Sequence, residues 1–218
     1  MNDPAVISRH IHNGVNIIDP NATYISNETI IETGVTIYPN AVLEGTCHIK
    51  AGASIGVGAH LINTQVNENA RILSYSVLTD VNIGVNAQIG PFAYLRADAS
   101  IGEACRIGSF VEVKNSKVGN KTSAAHLAYI GDAQVGNHVN IGCGVITANY
   151  DGKKKSQTTI NDHAFIGSNV NLIAPITVGE GAFVAAGSTI NKDLPAESFA
   201  IARVRQEVKE NWQNDPRK

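Results

Sequence analysis

Hydrophobic side chains recur every six places along most of this chain. Ile25, Ile31, Ile37, Leu43, Ile49, Ile55 and Leu61 keep strict six-residue intervals, with a small or modest side chain four places after most of them: Val35, Ala41, Cys47, Ala53 and Ala59. A helix repeats every 3.6 residues and a half-buried strand every two, so neither element produces this spacing. A period of six is the mark of a parallel β-helix, in which each hexad supplies one short flat face and turns its aliphatic residue inward. Gly, Asn and Asp crowd the intervening turns, where left-handed backbone angles suit them.

The register slips by one at Val66 and again at Val77, then resumes as Ile83, Ile89, Leu95, Ile101, Ile107 and Val113. It slips at Val118, continues through Ala124 and Ile130, and slips once more at Val135 before Ile141 and Thr147. The next member, Ile160, stands thirteen residues past Thr147, so residues 148–159 are expected to leave the column as an extruded loop. Ile166, Leu172, Val178, Val184 and Ile190 complete the series. Three faces per coil then give roughly nine coils, a column on the order of 45 Å long at about 4.8 Å per rung. Handedness does not follow from spacing. Residues 1–16 show no period and read as a lead-in arm before a β-helix over 17–194. Residues 195–218 form a charged tail, with a short helix expected around Glu207 to Trp212, that is expected to cover the open end of the column.

Composition narrows the class. With a net charge of -2 and 17% charged residues no basic field for nucleic acid shows in the totals, and 6% aromatics beside 20 glycines suit a thin, regular all-β body. Three cysteines, Cys47, Cys105 and Cys143, without a C-x-x-C spacing point to free thiols in a reducing compartment. No apolar run approaches 18 residues and no signal-peptide core is visible, so a cytoplasmic protein with no membrane contact is expected.

Some side chains have no use in such a scaffold. Arg96 follows Leu95 and Lys114 follows Val113 three hexads later, which places the two cations on one face, one coil apart. At roughly 5 Å they repel by about 3 kcal/mol at an effective dielectric of 20, a conflict that a bridging anion such as phosphate removes. The alternative is an ordinary solvated pair. His126 stands between the inward positions Ala124 and Ala128, so its ring points outward, and one coil on the equivalent position is Cys143. An outward imidazole can take a proton from an amine. The other histidines, His138 and His163 among them, show no comparable company. The 148–159 loop holds Asn149, Tyr150, Asp151-Gly152 and Lys153-Lys154-Lys155, more chemistry than a turn requires. A corner of the prism separates the histidine face from the Arg96/Lys114 face. One chain completes the site only if a neighbour reaches across, which leads to the expectation of a cyclic oligomer.

The stretches RHIHNGVNIIDP, IGPFAYLR, GSFVEVKNSKVG, HLAYIGDAQVGNHVNIG, ITANYDGKKK, FIGSNVNLIAPITVG and IARVRQEVKENW cover residues 9–212 in order. Together they resemble the C-terminal acetyltransferase domain of the bifunctional N-acetylglucosamine-1-phosphate uridyltransferase / glucosamine-1-phosphate N-acetyltransferase family, within the hexapeptide-repeat acyltransferases. The resemblance implies a left-handed β-helix, a homotrimer with active sites between subunits, and acetyl-CoA as co-substrate without a metal. It makes His126 the general base, gives the sugar phosphate to Arg96, Lys114 and Lys155, and lines the sugar pocket with Tyr129 and Asn140. Asn149 and Tyr150 would meet the reacting acetyl group and amine, and the main chain at Cys143 would face the thioester. Ser168, Ala186, Arg203 and Lys209 would bind acetyl-CoA. Departures cluster beside the base: AGHLTY is AAHLAY here, introducing Ala125 and Ala128, and GAGTITCNYDG is GCGVITANYDG. No nucleotidyltransferase domain or Gly-rich nucleotide loop precedes residue 1, so acetyl transfer without uridyl transfer is expected.

Backbone N–H groups around Gly142 to Gly144 are expected to face the oxyanion, and transfer is expected to be direct; a route through the Cys143 thiol is the alternative. Rival readings are the same chemistry on another small amine, a non-catalytic scaffold, and a metal hydratase. The last needs convergent histidines, and counted in hexads His126, His138 and His163 do not share an edge.

Overall fold

The computed structural model of the chain describes residues 3–210. Within them the chain winds as a three-sided parallel β-solenoid of about ten turns, whose faces are sheets of eleven, ten and nine strands. Every rung pairs in parallel with the next, so Ile107 stands on Ile89 in the first sheet, Val113 on Leu95 in the second and Ile101 on Ile83 in the third. The inward hexad members form one continuous core, with Ile37, Leu43, Ile49, Leu61 and Leu95 at 1% exposure or less. The column outruns the expected bounds at its upper end. Phe199–Ala200 adds a last strand to the first sheet, pairing with Phe183–Val184.

Register is uneven around the prism. From first to second sheet the inward residues always step by six after the opening turn, as in Ile107 to Val113, Ala124 to Ile130 and Ile141 to Thr147. From third to first they do the same. All variation falls on the corner between second and third sheets: five residues for Leu61 to Val66, Val113 to Val118 and Ile130 to Val135, and thirteen for Thr147 to Ile160. Here the expected slip at Val77 is corrected. Leu78 is the buried member and Val77 faces partly outward, so the five-residue step runs from Leu78 to Ile83. Each short corner carries Asn63, Asp80, Asn115 or Asp132 at positive φ, residues that tolerate the left-handed conformation.

The lead-in arm contains a helix, Pro4–His12. Asp3 caps it by accepting from the Ala5 N–H at 2.9 Å, and Pro4 occupies the first turn, where its missing N–H costs nothing. Val6 and Ile7 join the core cluster, so this helix closes the lower end of the column. Among the described residues of the tail, 201–210 are exposed, with Val204 at 90%, and do not cover the upper end; 207–210 form no helix. Residues 211 and 212 of the expected helix lie outside the described residues. Leu194 and Ala200 instead pack onto the last turn of the core. No helix among the described residues is long and apolar enough to cross a membrane.

Candidate active site

Two half-sites flank one corner. On the first sheet, the strand Ser123–His126 pairs with Asn140–Ile141 one rung above, Ala124 opposite Ile141. The same register sets His126 level with Cys143, then Cys143 with Ser168 (from Ile141 opposite Ile166) and Ser168 with Ala186 (from Ile166 opposite Val184). The expected stacking of His126 and Cys143 therefore holds and extends two rungs higher. His126 is exposed, its ring outside the core. Asn140 stands on the same sheet, directly above Ser123 and below Phe165. Arg203 crosses the top of this corner: a Cβ on Gly187 would lie 3.6 Å from its Cδ. Lys209 lies farther along the exposed tail.

Locally this ladder depends on Gly108, one rung below the histidine. The Ala125 carbonyl turns toward Gly108, and any Cβ there would collide with it. The three backbone donors expected around the oxyanion reduce to one. The Gly142 N–H donates to the Ile166 carbonyl at 2.8 Å and the Gly144 N–H to the Leu127 carbonyl at 2.7 Å, both consumed by rung bonding. Among the described residues the Cys143 N–H makes no such bond.

The second half-site lies across the corner, on the second sheet. Arg96 and Lys114 occupy paired positions on adjacent rungs, as their spacing predicts. Their repulsion is met by carboxylates that charge spacing alone did not single out. Arg96 donates to Glu112 Oε1 from Nε at 3.0 Å and from Nη2 at 2.7 Å, while Lys114 Nζ sits 3.8 Å from Asp132. Glu112 was legible in principle, since it alternates with Lys114 around Val113 on one outward face. Above Lys114 the register places Gly131, where the Tyr129 ring folds over so closely that a Cβ would strike its hydroxyl.

The extruded loop roots beside this set. It is a compact hairpin: Tyr150 bridges Lys155 in antiparallel fashion, and the Ser156 N–H donates to the Asn149 carbonyl at 2.8 Å. At its tip the Asp151 carboxylate accepts from the Lys153 and Lys154 N–H groups, each at 2.8 Å, which holds its pKa low. Asn149 is buried, with Nδ2 3.5 Å from the Tyr129 hydroxyl, whereas Tyr150 is 61% exposed. Lys155 reaches Lys114, and contact with that second ammonium pulls its pKa down. Arg96, Lys114, Lys155, Tyr129 and Asn149 thus share one patch, and no hydrogen bond or ion pair among the described residues joins it to His126.

One expectation about the remaining histidines is corrected. His138 and His163 stack at the corner between third and first sheets, ring centroids 5.1 Å apart and 9° from parallel. The loop inserted between them lengthens their separation in sequence without changing their corner. His126 stays at a different corner, and no group of three or more His, Cys, Asp or Glu suited to a metal occurs among the described residues.

Comparison with known proteins agrees with the column. A family model described as bacterial transferase hexapeptide (six repeats) matches residues 80–115 and 157–192. The chain is 47% identical over 207 residues to the Bifunctional protein GlmU of Acetivibrio thermocellus, covering 95% of this chain and 45% of that protein. It is 49% identical over 214 residues to the same-named protein of Brevibacillus brevis, covering 98% and 46%. The chain therefore spans less than half the length of the curated relatives it matches. Among solved structures, a UDP-N-acetylglucosamine acyltransferase of Francisella novicida aligns with a TM-score of 0.58 at 19% identity, over 85% of this chain and 66% of that one. That likeness is one of fold.

Proposed function

We propose that the chain is a hexapeptide-repeat transferase corresponding to the C-terminal acetyltransferase domain of the GlmU proteins, and that it transfers acetyl from acetyl-CoA to the amine of glucosamine 1-phosphate. The observation that carries this reading is the pairing of two half-sites, an imidazole ladder on one face and a three-cation patch with a loop on the next. His126 takes the proton as the amine nitrogen attacks the thioester carbonyl. The new C–N bond forms, the C–S bond breaks, and the thiolate of CoA leaves. The Cys143 N–H, left out of the rung bonds among the described residues, meets the oxyanion in this reading. Arg96, Lys114 and Lys155 hold the phosphate, with Tyr129 and Asn140 on the sugar and Asn149 and Tyr150 at the acetyl group. Ser168, Ala186, Arg203 and Lys209 take the rest of the acetyl-CoA. Acetyl transfer is the whole of the proposal.

The site forms between subunits of a trimer. Tyr75, Phe92 and Phe110 stack up the corner between first and second sheets with centroids 5.4 Å apart, and Leu127 continues the ridge beside His126. All four are about half exposed and all four have positive φ, an unfavourable conformation for such side chains. A second copy covering this apolar ridge brings its own cation face toward the histidine ladder.

The test is CoA-thiol release with glucosamine 1-phosphate, with unphosphorylated glucosamine, and with the His126→Ala variant. Turnover of the phosphorylated amine that falls about 10²–10⁴-fold in His126→Ala is the expected result. Equal turnover of both amines removes the phosphate assignment, and turnover indifferent to His126 removes the base.

A further inference from the structure

We propose that Asp132 is a positioning residue that fastens the extruded loop to the cation patch, holding Asn149 and Lys155 in register with Lys114 for the reaction. The inference rests on the acetyl-transfer reading given above, and no site residue expected from the sequence includes this carboxylate.

Its surroundings converge from three segments. Asp132 sits at the variable corner, on the rung directly below the loop, and its side chain is only 11% exposed. One carboxylate oxygen accepts from Asn115 Nδ2 on the rung beneath; the other accepts from Asn149 Nδ2 at the loop's first turn. Lys114 Nζ stands 3.8 Å away. The main chain joins in: the Asp132 N–H donates to the Lys114 carbonyl at 3.0 Å, and the Asp132 carbonyl accepts from the Thr158 N–H, at the loop's return, at 3.2 Å. One residue therefore grips both roots of the loop and a phosphate cation. Burial favours the neutral acid, but the Asn115 and Asn149 hydrogen bonds and the charges of Lys114 and Lys155 outweigh it and hold the carboxyl below its ordinary pKa. As an anion it accepts from both amides at once and offsets two ammoniums that would otherwise repel.

Asp132→Asn separates this role from folding, because Asn is the residue best suited to the φ of +49° at this corner. The amide keeps one acceptor oxygen and turns an N–H₂ toward the other Asn donor, so one tether is lost. In hydrogen exchange, the Ser156 and Thr158 amides are expected to exchange at least about tenfold faster, while the Gly142 and Gly144 rung amides do not change. In kinetics with glucosamine 1-phosphate, kcat is expected to fall about tenfold or more with KM unchanged or lowered, since the phosphate cations gain net charge. The exchanged pair Asp132→Asn with Asn149→Asp restores an amide-to-carboxylate contact, so loop protection returns without turnover.

Unchanged loop exchange, retained kcat, or a swapped pair that stays as labile as the single variant overturns the proposal. Should the wild-type protein transfer no acetyl group, the functional reading fails by itself. The exchange measurements then still decide whether Asp132 fastens the loop.

Discussion

Two corners of the same prism behave oppositely. Between first and second sheets every turn above the opening one takes the same number of residues, and this is where His126, Cys143, Ser168 and Ala186 form a vertical ladder. Between second and third sheets the step is five, six or thirteen residues, and this corner carries the loop and Asp132, which faces Lys114 and Asn149. A constant step fixes height and orientation, which the base proposed at His126 needs if its proton transfer is to remain in reach. A variable step admits insertions, because a loop leaves the column at the corner while each rung still pairs with its neighbours. The chain thus keeps its geometry at one edge and its added chemistry at another.

Changing corner length tests this most severely. One glycine inserted after Leu127 is expected to misalign the ladder, costing on the order of 3 kcal/mol or more and abolishing turnover. The same glycine inserted after Gly152 is expected to move stability by no more than about 0.5 kcal/mol. Thermal unfolding of both variants decides it, and equal losses break the contrast.

A smaller effect is expected at Thr147, the polar member of the inward series just before the loop. Its buried hydroxyl accepts from the Gly131 N–H at 2.7 Å and lies 3.0 Å from the Gly131 carbonyl. Thr147→Val keeps the shape but strands that N–H, costing about 1–3 kcal/mol in denaturant unfolding. A neutral result would mean that the rung below the loop relaxes more freely than the rest of the column.

The smallest effect lies at the base, away from both corners. His10 is 3% exposed, and neither ring nitrogen has a hydrogen-bond partner. Burial first, then the Arg9 charge, lowers its pKa. The unfolded chain therefore takes up this proton near pH 6.5 while the folded chain resists it, so stability is full above that pH and declines below it. His10→Leu is expected to flatten the Tm profile between pH 7 and 5 relative to wild type, and identical slopes would contradict the assignment.

Much of this was legible because a period of six fixes both the inward set and the vertical neighbours of each outward residue. The six-residue spacing by itself sets Lys114 over Arg96 and Cys143 over His126. It erred where two aliphatics stand together, as Val77-Leu78 do, since only the left-handed turn at Asp80 decides which is buried. It missed the His138–His163 stack because a loop lengthens the sequence interval without moving the corner. Asp132 read as one more turn residue, its role visible only once Asn149 folds back onto it. The helix had a readable start in Asp3-Pro4, but nine residues show too few turns for periodicity to speak.

The central claim is that base and cations serve one site from different subunits. His126→Ala and Lys114→Ala, each inactive by itself, should be combined by co-expression or by refolding together. A site shared across a seam recovers about one quarter of wild-type turnover, because one random pairing in four joins an intact imidazole face to an intact cation face. Mixed oligomers with no more turnover than either variant alone would place both half-sites in a single chain and contradict the account.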